Sequence, residues 1–197
     1  MINRIKDILL APKKEWAKVE EENTPQGKVF IGYVLPLSLI TLVAAFIGYG
    51  LIGYSVLGVR FHSIEWGIKQ AIIQWVVMVG GLYLTAFIID LLANSFGAKK
   101  DFNKAFSLIA YAYTPMLIGG IFYVLPSVAW LASLAGVYSL VLLYIGMKPM
   151  MKVPDEKHTV YFIVSLVTMV VITVVVSLVM GAILLRGGYG AGALRVL

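Results

Sequence analysis

Six residues in the middle of the chain have the types and spacing to do chemistry at membrane depth: Asp90, Lys104, Ser107, Tyr111, Tyr113 and Pro115. Asp90 is an acid inside an otherwise apolar run. A carboxylate in hydrocarbon is expensive, so such a residue pairs, lines a watery path or grips a polar group. Asp90 precedes Gly97 by seven residues, about 10 Å of helix axis. That count places it in the inner third of a span, level with Lys104 to Leu108 on the next helix, and makes Lys104 and Ser107 its candidate partners. The chemistry would be a proton or cation site, or a clamp on a lipid headgroup. The alternative is a hydrogen bond or salt bridge that packs two helices. Pro115 lacks an N–H, so it frees the carbonyl of Tyr111 and kinks its helix. Tyr111 and Tyr113 either line a polar cleft beside that kink or pack against neighbours.

The elements that must hold these residues follow from composition. The chain has 197 residues, 60% hydrophobic and 13% charged. A soluble domain is about 45–50% apolar and about 25% charged. The excess apolar residues need the bilayer as their solvent. Five apolar runs are long enough to cross it: about Val29 to Gly50, Ala71 to Ala93, Phe102 to Val124, Val128 to Met147 and Thr159 to Leu185. The last is rich in Val, Ile and Thr, yet its length fits a helix; a barrel strand crosses in about 9–11 residues. The predicted fold is therefore all-α, a polytopic bundle of five transmembrane helices. Three segments result: an amphipathic N-terminal segment at 1–28, the membrane domain at 29–185 and a flexible Gly-rich tail at 186–197.

Within 1–28, Ile2, Ile5 and Leu9 recur at helical spacing and Pro12 suits a first turn. Trp16 and Val19 then share one side of KKEWAKVEEE. Trp16 among lysines is expected to be an interfacial anchor, as is Trp66 ahead of the second span. The segment either lies on the membrane and binds partners, or packs into the mouth of the bundle. Gly48, Gly50 and Gly53 end the first span, as turn formers or as points of close helix approach. Tyr54 to Lys69 reads as a loop, and so does Lys148 to Lys157. Asp101 is a plausible helix cap after the Lys99-Lys100 tip.

An odd number of spans puts the termini on opposite sides. Twelve of the sixteen Lys and Arg fall in the N-terminal segment, the second-third loop and the fourth-fifth loop. Basic loops stay cytoplasmic, so the N-terminus is expected inside and the C-terminus outside. Lys and Arg in this role need no nucleic acid to explain a net charge of +6.

The signals of enzymes are missing. His62 and Glu65 are spaced for one helix face, but two ligands without a third do not make a metal site, and no metal is expected. His62 and His158 fall on opposite sides. There is no H-E-x-x-H, no Ser-His-Asp set and no phosphate loop. The chain has no cysteine, which removes thiol chemistry and disulfides. No cofactor is expected.

Four stretches carry a family resemblance: RIKDILLAPKKEWAKVEEE, YVLPLSLI at Tyr33 to Ile40, LIAYAYTPMLIGG at Leu108 to Gly120, and GVYSLVLLYIGMKPMMKVPDEK at Gly136 to Lys157. Together they resemble the Yip family, the Ypt/Rab-interacting membrane proteins with five spans, in its prokaryotic branch. The resemblance implies a five-span fold and a prokaryotic inner (plasma) membrane location, with no defined activity. Eukaryotic members bind small GTPases through a long cytosolic region bearing DLYGP. Only about thirty residues precede the first span here and that motif is absent, so GTPase binding is not carried over. The reading is a non-enzymatic protein that organises or scaffolds membrane through lipids, protein partners or further copies of itself. The alternative is a small-solute or ion transporter or channel with a polar cleft near Asp90 and Tyr111.

Overall fold

The computed structural model describes residues 1–56, 59–61 and 63–184. Two short helices open the chain, α1 (Ile2–Leu10) and α2 (Pro12–Glu22), with Ala11 alone between them. Pro12 begins α2 because its missing N–H and fixed φ suit a first turn. Asn23 ends it in the left-handed region, φ 43°, which a short polar side chain tolerates.

The first long helix, α3 (Gln26–Ile52), is wound wide in two places. The first π-turn, Phe30–Val34, ends one residue short of Pro36, with Leu35 between. The ring cannot donate to the turn before it and would crowd that carbonyl, and a wide turn absorbs the mismatch. The second, Ile47–Ile52, ends on Gly53 at φ 76°. A two-stranded hairpin follows, β1 (Tyr54–Val56) antiparallel to β2 (Val59–Phe61), with Tyr54 opposite Phe61 and Ser55 opposite Arg60.

The helix α4 (Ile64–Ala93) starts earlier than the expected Ala71. Ser63 caps it, accepting from the Trp66 N–H at 3.3 Å. The stretch read as a loop from Tyr54 to Lys69 is thus a hairpin and two helical turns, since a serine cap outweighs the polar composition behind it. Thirty residues make about 45 Å of helix, longer than the roughly 30 Å hydrocarbon layer. Gly97, at φ 69°, turns the chain. Asp101 then caps α5 (Phe102–Ala112), its carboxylate accepting from the Lys104 N–H at 3.2 Å. A bend of 44° at Tyr113 leads into α6 (Thr114–Val124). Next comes α7 (Leu131–Met151), which runs through Pro149 and ends at Lys152, φ 51°. The expected exit loop from Lys148 is therefore helical for another turn. The last described element is α8 (Asp155–Leu184); the tail at 186–197 lies outside the described residues.

Three of these helices, α3, α4 and α7, are long and apolar enough to cross a membrane, and the bent pair α5–α6 makes a fourth crossing if taken as one. Their outward faces carry Leu39, Ile40, Val43, Val76, Val77, Phe87 and Val137, all exposed. In water that surface would be untenable. The core is a band of Ile8, Trp16, Leu82, Ile89, Phe106, Leu108, Leu142, Met147 and Tyr161. Glycine sets the close approaches. A Cβ on Gly67 would overlap the Gly50 backbone, and one on Gly48 would overlap the Tyr123 carbonyl. Gly48 and Gly50 therefore bring helices together, and Gly53 makes the turn.

One end of the bundle gathers three segments. Glu20 meets Lys104 and, at 3.5 Å, Lys152. The Lys99 N–H donates to the Met151 carbonyl at 2.8 Å. The Gln26 N–H donates to Asn103 Oδ1 at 3.1 Å. The N-terminal pair, the α4–α5 loop and the α7–α8 loop thus share a face.

Candidate functional site

The kink is the natural starting point, because a proline in a helix leaves a carbonyl to be satisfied. Pro115 is buried, and the freed Tyr111 carbonyl accepts a hydrogen bond from Thr114 Oγ1 at 2.6 Å. A hydroxyl has one proton, and this one is spent. The Tyr33 hydroxyl, 2.6 Å from Thr114 Oγ1, must therefore be the donor to it. A chain Tyr33→Thr114→Tyr111 carbonyl closes the break across α3 and α6.

Tyr111 is clasped on several sides. The Tyr33 ring meets it edge-on at 4.7 Å, Trp16 at 6.5 Å, and the Arg4 guanidinium lies 5.4 Å from its centroid. Arg4 binds Glu15 at 2.5 Å and Glu22 at 2.5 Å, and Lys18 also reaches Glu15, at 3.0 Å. Burial alone would lower the Arg4 pKa; its bond to Glu22 and the charges of Glu22 and Glu15 outweigh that and raise it. Glu15 is 3% exposed, so two cations on one carboxylate are what make its burial tolerable.

Trp16 is fully buried, with its indole over Gly146; any Cβ at 146 would overlap the ring. The expected interfacial anchor is thus a wedge between α2 and α7. The physical reason is the notch: a glycine on α7 offers more contact to a flat ring than an interface does. Trp66 stands 43% exposed in the first turn of α4.

Lys104 is 8% exposed and is committed to α2. Its ammonium bonds the Glu20 carboxylate and, at 3.2 Å, the Glu20 carbonyl. That hydrogen bond, with the charges of Lys104 and Lys152, holds the Glu20 carboxyl below its usual value. Lys104 therefore pairs with Glu20 where Asp90 had been expected; the docked α2 brings a carboxylate to it first. Ser107 is buried on the same helix.

Asp90 lies elsewhere, against α8. It is 7% exposed, and its Oδ1 has no hydrogen-bond partner among the described residues. Beside it the Tyr161 hydroxyl donates to the Ile89 carbonyl, and the Tyr161 ring stacks on Phe96 at 5.1 Å. One turn along α8, Ser165 Oγ is likewise buried without a partner. Tyr113 joins this side: its hydroxyl is 3.4 Å from Thr85 Oγ1 and 3.5 Å from Met169 Sδ. Residues two apart on a helix point to nearly opposite sides. Tyr111 and Tyr113 accordingly face different seams, and the cleft expected to combine Asp90 with Tyr111 is divided between them.

Sequence reasoning missed Arg4, Glu15, Glu20, Tyr33, Thr114, Gly146 and Tyr161. Tyr33, Thr114 and Tyr161 were visible as polar groups within apolar runs. Glu15 shares a helix face with Val19, four residues on, which hinted at burial. No group of three His, Asp or Glu suited to a metal occurs among the described residues; His62 lies outside them.

Comparison with known proteins adds a family to this geometry. Residues 6–178 match the Yip1 domain. The inner membrane protein YohC of Escherichia coli K12 is 23% identical over 185 residues, covering 91% of this chain and 93% of that protein. The YohC of Escherichia coli O6:H1 matches to the same extent. No solved structure matches.

Proposed function

Since this chain belongs to the Yip1 domain family, as an integral membrane protein with helices apolar enough to span the bilayer, we propose that it organises membrane through lipid and protein contacts and catalyses no reaction. In this reading α8 is a fifth span. The face bearing the N-terminal pair is cytoplasmic, as its lysines and arginines require. The C-terminus is then external, and the membrane is the inner membrane, as for YohC.

One observation carries the proposal: the N-terminal pair is docked on the bundle yet presents apolar side chains outward. Trp16 and Ile8 are fully buried beneath it, while Ile2 is 76% and Leu10 is 74% exposed. The Tyr138 hydroxyl donates to the Leu9 carbonyl at 2.6 Å, and Tyr138 lies thirteen residues before Met151, about 20 Å along α7. The Leu9-Leu10 tip therefore reaches into one leaflet, with Leu10 free to meet acyl chains or a partner's helix.

The transporter reading keeps one observation on its side, the unpartnered Asp90 and Ser165 on the α4–α8 seam. A paired experiment separates the two. Deleting residues 1–22 should abolish in-membrane crosslinking to partner proteins or to further copies, while Asp90→Asn leaves it intact. Crosslinking that survives the deletion, together with an ion flux in proteoliposomes that Asp90→Asn abolishes, would replace scaffolding with transport.

A further inference from the structure

On the flank of the N-terminal pair lies a groove of about 320 Å³, with Trp16 as its back wall and α7 and α8 as its sides. That volume falls at the small end of ligand pockets, about 300–1,000 Å³. Its rim is cationic. Lys13 on α2 is exposed and has no ion-pair partner among the described residues. Lys148 on α7 is half-exposed and shares its charge with Asp155, which is itself 77% exposed. Two ammonium groups against one carboxylate leave a single net positive charge.

The interior of the groove is aromatic and aliphatic. The Tyr144 and His158 rings lie 4.4 Å apart, tilted by 30°, and the His158 Nε2–H donates to the Tyr144 carbonyl at 2.9 Å. Ile145 and Pro149 complete the lining. Behind them the indole N–H of Trp16 is buried with no acceptor among the described residues. One turn further along α7, Val141 is exposed among the outward apolar residues.

We infer that this groove seats an anionic phospholipid, its phosphodiester between Lys13 and Lys148, its glycerol over Tyr144 and Trp16, and its acyl chains running past Val141. The single negative charge of a phosphodiester matches the net charge of the rim. A free phosphate would find no partner in the apolar wall and would leave Val141 uncovered. The assignment rests on the lipid-contact half of the proposed function and gives it a site.

The test uses the full chain in detergent, with native mass spectrometry reading retained lipid from an equimolar mixture of dioleoylphosphatidylglycerol and dioleoylphosphatidylcholine. The unaltered protein should retain the glycerol lipid over the choline lipid by about tenfold, given two lysines at an anionic headgroup. Lys13→Ala with Lys148→Ala should bring the ratio near one, and Lys99→Ala with Lys100→Ala, on the same face, should leave it unchanged. If the Lys148 change loosens the α7–α8 turn in a thermal melt, Lys13→Ala alone should still lower the ratio about threefold. Equal retention by the unaltered protein, an equal fall in the Lys99/Lys100 variant, or displacement by millimolar glycerophosphate would each overturn the assignment. Partner crosslinking is measured separately. No crosslinking by the unaltered protein, with lipid preference intact, would sink the scaffold reading alone, and crosslinking by the unaltered protein with no lipid preference would sink the groove alone.

Discussion

The two seams flanking the α5–α6 kink are made of similar residues and are finished to different standards. On the Tyr111 side each buried charge has a partner: Arg4 with Glu15 and Glu22, Lys104 with Glu20. The carbonyl freed by Pro115 is satisfied as well. On the Tyr113 side, Asp90 Oδ1 and Ser165 Oγ are buried without partners, and the Tyr113 hydroxyl has only a 3.4 Å contact and a thioether. Paired buried charges fix one arrangement, whereas an unpaired buried carboxylate tolerates others, even though the Trp16 indole N–H on the first seam also lacks an acceptor among the described residues. The first seam is thus built to stay closed around the N-terminal pair. The second leaves buried polar atoms of α4 and α8 unsatisfied among the described residues.

Substitutions can break this contrast, and the largest effect belongs to the wedge. Trp16→Ala removes the ring over Gly146 and should destabilise the protein by about 3–5 kcal/mol, read as a lowered melting midpoint in detergent with rapid amide exchange confined to α1 and α2. Thr114→Val should cost about 1–3 kcal/mol, because it strands the Tyr111 carbonyl and the Tyr33 hydroxyl together; the same melt checks it. An unaltered midpoint would show that the kink does not need its chain of hydroxyls.

Acid should loosen the latch by less. Glu20 has a depressed pKa in the folded protein, so its contribution is full above the ordinary carboxylate value of 4.5 and is lost as pH falls through the lower folded value. Proteolysis within α2 should rise over that window, and Glu20→Gln, costing about 1 kcal/mol, should remove most of the pH dependence. The smallest effect is expected at Asp90→Asn. Its Oδ1 already lacks a partner among the described residues, so replacing a buried unpaired charge with a neutral amide should cost no stability, and the melting midpoint should hold or rise. A loss above 2 kcal/mol would mean that Asp90 is paired in the membrane, and the two seams would no longer differ.

Much of the frame was legible in the chain. The apolar runs became helices, Asp101 became a cap and Pro115 opened a bend, because each is local chemistry acting within a few residues. The grouping of the basic segments on one face also emerged from charge alone. What failed was pairing. Lys104 lies at the right depth for Asp90, but depth along a helix says nothing about azimuth, and Glu20 arrives from 84 residues away. Trp16 looked interfacial because its neighbours are lysines, and nothing nearby in the chain announces the notch at Gly146. Ser63 was overlooked as a cap because Glu65, Trp66 and Lys69 made the first turn of α4 read as loop.

The wedge and its notch are also events separated in time. Trp16 leaves the ribosome early, and Gly146 follows 130 residues later. At about 5–20 residues per second, α1 and α2 wait on the order of ten seconds before α7 exists to receive them. Until then the notch side of Trp16 has only lipid or a chaperone against it, although Tyr111 is made 35 residues before Gly146. The order of synthesis therefore leaves the docking of α2 waiting on a helix made long after it.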